Sequence, residues 1–182
     1  MRAFLVSAAI ALLLWLVVGY IASRCNDEAV RTRFVEHTDI IPGPNGTQSP
    51  LNFENLKHWI EANPHSARFY LRPVLLPLDF LFLAVFGATL AFGSVLAARY
   101  VSWVAALPPW AWWILPSIYM VADFLEDILL VGFFRNPAWL TEGSYWALSN
   151  LTSLKLISVK AAMAQLGILG VIAIVRRFIR TA

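Results

Sequence analysis

The chain has 182 residues, 59% of them hydrophobic and only 14% charged, with a formal net charge of +3 and a mean hydropathy of +0.67. A soluble domain carries about 25% charged residues, so this composition excludes an ordinary globular domain in water and points to a polytopic membrane protein. The small basic excess is read as orientation signal and headgroup contact. No nucleic-acid partner is expected.

The single cysteine, Cys25, rules out an internal disulfide framework or a CxxC redox pair. The three histidines, His37, His58 and His65, lie at irregular spacing in one polar segment. Neither a metal set nor a cofactor is expected from these residues.

Residues 3–22 form an uninterrupted apolar run after Arg2. A secretory h-region is ~7–15 residues long and ends at a small-residue cleavage site. This run is longer and ends in a weak cleavage pattern, so it reads as an uncleaved first span. Residues 24–70 are the only extended polar segment, with acids and bases nearly balanced. Within it, the stretch from Ile41 to Thr47 reads as a loop from its Pro, Gly and Asn residues. Asn45-Gly46-Thr47 fits a glycosylation sequon, which matters only in a eukaryotic secretory setting. Ser49-Pro50 then reads as N-cap and first helical position. Phe53, Leu56, Trp59 and Ile60 follow at helical spacing. The predicted amphipathic helix, about 50–62, lies on the membrane surface or packs against the rim of a bundle.

The second predicted span runs from about 73 to 98, with Pro73 and Pro77 in its first turns and Asp79 just beyond. Small residues recur four apart along it, which permits close helix approach. The third span covers about 110–133, after Pro108-Pro109. The fourth covers about 149–175 and contains Lys155, Lys160 and Gln165. Tryptophans at 110, 112, 113, 139 and 146 mark the two interface belts.

The predicted fold is therefore all-α: a four-transmembrane-helix bundle forming a single membrane domain over 1–182, with a long extracytoplasmic loop between spans 1 and 2. Four spans put both termini on one side. That side carries Arg2, Arg99, Arg176, Arg177 and Arg180 and no acid. The bias of short loops places it in the cytoplasm, which makes this an inner-membrane protein with residues 24–70 outside.

The informative stretch is Pro116 to Val131. Asp123, Glu126 and Asp127 share one helical face in an otherwise apolar segment. An ionisable residue at membrane depth costs at least ~2.5 kcal/mol, so three together need partners, a proton or water. Counting ~1.5 Å per residue from the outer boundary puts Asp79, Asp127 and Lys155 at one depth. Asp123 and Lys160 sit deeper, again level with each other. The pairs expected from this count are Asp127–Lys155 and Asp123–Lys160. Four carboxyls against two lysines leave two in excess. Tyr119, one turn before Asp123, could add a hydroxyl to the same face.

The arrangement of Asp79 in span two, Asp123-Phe124-Leu125-Glu126-Asp127 in span three and Thr152-Ser153-Leu154-Lys155 in span four resembles a group of bacterial four-span membrane proteins. Those read Asp-x-x-Glu-Asn at the third-span motif, from which Asp127 departs. The resemblance implies no activity.

Three functional readings stay open. The layer formed by Asp79, Tyr119, Asp123, Glu126, Asp127, Lys155 and Lys160 could bind or translocate a proton, a cation or an amine-bearing small molecule. It could serve a membrane-embedded acid–base enzyme acting on a lipidic substrate. Or its charges could be structural ion pairs in a non-catalytic subunit or assembly factor. The expected partners are the lipid bilayer and a homo-oligomer or larger membrane complex.

Overall fold

The structure, a computed structural model, describes residues 2–23, 40–42, 48–50, 52–101, 104 and 106–181. Cys25, His37 and the sequon at 45–47 lie outside the described residues. The helices are α1 (Arg2–Ser23), α2 (Phe53–Ala62), α3 (Pro64–Phe69), α4 (Phe80–Ala98), α5 (Ile114–Arg135) and α6 (Glu142–Thr181). An irregular helical stretch, Tyr70–Asp79, leads into α4, and single 3-10 turns, Pro109–Trp113 and Pro137–Trp139, precede α5 and α6. Among the described residues the fold is all-α apart from one antiparallel pair of three-residue strands, β1 (Ile40–Pro42) and β2 (Gln48–Pro50), with Ile41 opposite Ser49.

Among the described residues, three segments are long and apolar enough to cross a membrane: α1, the stretch Pro64–Ala98 that ends in α4, and α6. The 22-residue helix α5 has the length as well, but Asp123, Glu126 and Asp127 all fall inside it. The helices carry a large apolar exterior. Leu13 and Trp15 on α1 are each 60% exposed, and on α6 Ile157 reaches 68% and Val171 62%. A surface of this kind in water is an aggregation liability. In hydrocarbon it is the ordinary exterior of a spanning helix.

Several helix boundaries differ from the sequence expectation, each for a local reason. Ser49 and Pro50 belong to β2, and the cap of α2 is Asn52, whose side chain accepts a hydrogen bond from the Asn55 amide at 2.8 Å. Regular helix starts at Phe80 rather than Pro73, because Arg72 (φ −138°, ψ 119°) and Leu76 (φ −123°, ψ 114°) are extended. Each precedes a proline, whose ring disfavours the α region for the residue before it. Helix α6 begins at Glu142, seven residues before the expected start. Thr141 and Ser144 cap it reciprocally: the Thr141 amide donates to Ser144 Oγ at 2.8 Å, and the Ser144 amide to Thr141 Oγ1 at 3.3 Å.

The chain divides into two compact units. The first comprises Met1–Leu12, Leu83–Phe124 and Leu151–Ala182, the second Leu13–Phe82 and Leu125–Asn150. In the first, Leu83, Leu90, Tyr119 and Ala162 form one buried cluster. Ala98, Val101, Val104 and Leu169 form another. Small residues make the close packing possible: a Cβ on Gly93 would stand 2.6 Å from Phe4 Cε2 and 3.0 Å from Leu166 Cδ1.

The second unit has the larger core. Leu56, Trp59 and Ile60 of α2 are buried with Leu130, Phe133 and Phe134 of α5, together with Leu140 and Leu148. The apolar face of α2 is thus turned into the protein, which favours rim packing over the membrane-surface alternative.

Candidate functional site

The inward stripe of α5 is Pro116, Tyr119, Asp123, Glu126, Leu130 and Phe133, a three-four alternation buried throughout. That is the seam spacing of packed helices, so Asp123 and Glu126 occupy positions where an apolar side chain normally sits. Asp123, Glu126 and Asp127 are 2%, 4% and 2% exposed. On α6 the buried seam recurs every seven residues as Leu148, Lys155, Ala162 and Leu169. Lys155 takes the polar place in that series.

In the first unit, Lys155 Nζ lies 2.5 Å from Asp123 Oδ1, with both side chains nearly sealed from solvent. A second anchor fixes the register: Gln165 Nε2 donates to the Trp112 carbonyl at 3.1 Å. Going from Trp112 to Asp123 on one side of the contact and from Gln165 back to Lys155 on the other covers nearly equal lengths, so these segments run antiparallel.

This pairing corrects the depth count, which matched Asp123 with Lys160. Lys160 is exposed and forms no ion pair among the described residues. Five residues at 100° each carry it roughly 140° around the helix from Lys155, off the buried seam. Depth alone cannot see that rotation.

Tyr119 is buried and meets the Phe86 ring edge-on, with centroids 5.9 Å apart. Two polar residues one turn from Lys155 are also buried: Thr152, part of the span-four motif, and Ser158, which the sequence reading passed over. The Ser158 hydroxyl donates to the Leu154 carbonyl at 2.7 Å, and the Lys155 carbonyl lies 3.0 Å away. Their signal in the sequence was the i±3 spacing from Lys155.

In the second unit, Asp79, Glu126 and Asp127 collect negative charge. Asp79 immediately precedes α4, where the positive end of the helix dipole favours a carboxylate. Asp79 and Asp127 each present a carboxylate oxygen, and these lie within 4.8 Å of one another. Two carboxylate oxygens so placed supply part of the all-oxygen shell that a hard cation takes.

Comparison of the chain with known protein families, curated proteins and solved structures finds no match. The likeness of its charged motifs to bacterial four-span proteins has no counterpart there, so function has to be argued from geometry.

Proposed function

We propose that the chain is a four-span inner-membrane protein, with both termini cytoplasmic, that binds a small cation at the carboxylates of Asp79 and Asp127. Helix α5 completes the four as the third span in chain order, and its acids are the site rather than an obstacle to insertion. One observation carries this reading: acidic side chains from two separate stretches of the second unit approach within 4.8 Å. Two carboxyls that close make ionising both costlier, and a proton or a cation between them relieves that cost. A hard cation binds oxygen at roughly 2.0–2.6 Å, so one ion can bridge two oxygens at such a separation. Intramembrane carboxylates of this kind mark ion and proton pathways. A metal ion, a protonated amine and a proton compete for the same charge.

A second reading, a structural subunit held by ion pairs, is favoured by the sealed Asp123–Lys155 contact. Calorimetric titration of the protein in nanodiscs with Na⁺, Ca²⁺ or methylammonium separates the two. Cation binding predicts saturable uptake of at least one probe, weakened tenfold or more by Asp79→Asn and by Asp127→Asn. No binding by the folded wild-type protein, or binding indifferent to both substitutions, leaves the structural reading.

A further inference from the structure

The two lysines of α6 have opposite surroundings. Lys155 is buried against Asp123, whereas Lys160 is exposed on the apolar exterior, between Ile157, 68% exposed, and Met163, 55% exposed. Lys160 stands at the middle of the apolar stretch Glu142–Arg176. Counted from the outer end of the span 149–175, it lies roughly 16 Å along the helix axis, near the middle of a hydrocarbon core about 30 Å thick and beyond the four-carbon stem of a lysine. An ammonium facing hydrocarbon at that depth is unfavourable, and such groups pair with an opposite charge or face water.

The same face of α6 is shaped for a neighbour. Ala164, Gly167 and Val171 follow Lys160 at spacings of four, three and four, and all are exposed. A Cβ on Gly167 would meet nothing within 4 Å. Small residues on a lipid-facing stripe let another helix approach closely, and these flank an exposed positive charge.

We infer that this face of α6 docks a transmembrane helix of a different protein, one carrying an Asp or Glu near the bilayer midplane that pairs with Lys160. Among the described residues, a second copy of this chain offers no exposed acid at that depth. The exposed acids among the described residues are Glu54, Glu61 and Glu142. The first two lie outside the apolar spans, and Glu142 stands at the very end of one. The inference rests on the membrane reading of the helices and is independent of the Asp79–Asp127 site.

The test uses synthetic leucine-rich transmembrane helices with Glu, Leu or Lys at the central position, mixed with the fluorescently labelled full chain in lipid vesicles. Energy transfer reports association. The Glu helix should associate at least tenfold more tightly than the Leu helix, and the Lys helix should be weakest. Lys160→Met should reduce the Glu helix to the level of the Leu helix. Gly167→Leu, which keeps the charge but blocks close approach, should weaken Glu-helix association severalfold. Both variants lie on the exterior, and unchanged helical circular dichroism shows that they fold. Equal association of the Glu and Leu helices with the wild-type chain overturns the proposal. So does undiminished Glu-helix association with Lys160→Met, the result expected if the ammonium reaches headgroups instead.

Discussion

Replacing Lys155 with Met removes the ammonium and leaves the Asp123 carboxylate, 2% exposed, without its charge partner. At the observed 2.5 Å separation, Coulomb attraction at an effective dielectric constant near 20 is about 7 kcal/mol. Desolvation of the two ions opposes it with several kcal/mol each, so the intact pair sits near balance. Half a pair does not: Lys155→Met should destabilise the fold by ~3–5 kcal/mol. Adding Asp123→Asn should return much of that loss, because a neutral amide costs less to bury than a carboxylate. Reversible unfolding of the four proteins in one mixed-micelle system gives the coupling energy. A value above about 1 kcal/mol is expected for residues in contact, whereas independent sites add to within ~0.5 kcal/mol. Additive losses for Asp123 and Lys155, with the coupling found instead between Asp123 and Lys160, would refute the register in which Asp123 faces Lys155.

Leu56→Ala should cost ~2–5 kcal/mol because Leu56 is 1% exposed in the core of the second unit; the half-buried neighbour Lys57, changed to Ala, should stay within about 0.5 kcal/mol in the same unfolding assay. Gly93→Leu should destabilise by at least ~1–3 kcal/mol through overpacking against Phe4 and Leu166, and Phe4→Ala in the same chain should restore part of the loss. For orientation, an impermeant thiol reagent on intact cells, with Cys25 first replaced by Ser, should label Gln48→Cys and spare Thr181→Cys; the reverse pattern inverts the topology.

Most of what builds the candidate site could be read before the fold was known. The three carboxyls of α5 follow from spacing, as does the amphipathic face of α2. What stayed hidden was rotation and phase. Lys155 and Lys160 are both lysines in one apolar helix, and only the seven-residue series of Leu148, Lys155, Ala162 and Leu169 separates the buried one from the exposed one. The series is hard to see because its second member is charged. The start of α6 was legible in the Thr141–Ser144 cap but lies outside the most hydrophobic stretch, so hydropathy missed it. The break before α4 follows from Pro73 and Pro77, which permit a first turn yet constrain Arg72 and Leu76 in front of them. The depth count put Asp79 level with Asp127, although these stretches lie far apart in sequence, but it could not say that their carboxylate oxygens approach within 4.8 Å.

Infrared difference spectroscopy on the protein in nanodiscs, with and without cation, is the most direct test of the carboxylate site. Aspartate labelled with carbon-13 at the side-chain carboxyl isolates the relevant bands from glutamate and backbone. Cation binding predicts a shift of the aspartate carboxylate stretch on adding Na⁺, Ca²⁺ or methylammonium, absent from both Asp79→Asn and Asp127→Asn and retained in Lys160→Met. A spectrum unchanged at saturating concentrations of all three, in protein shown to be folded, would contradict cation binding and leave the charged layer as scaffold.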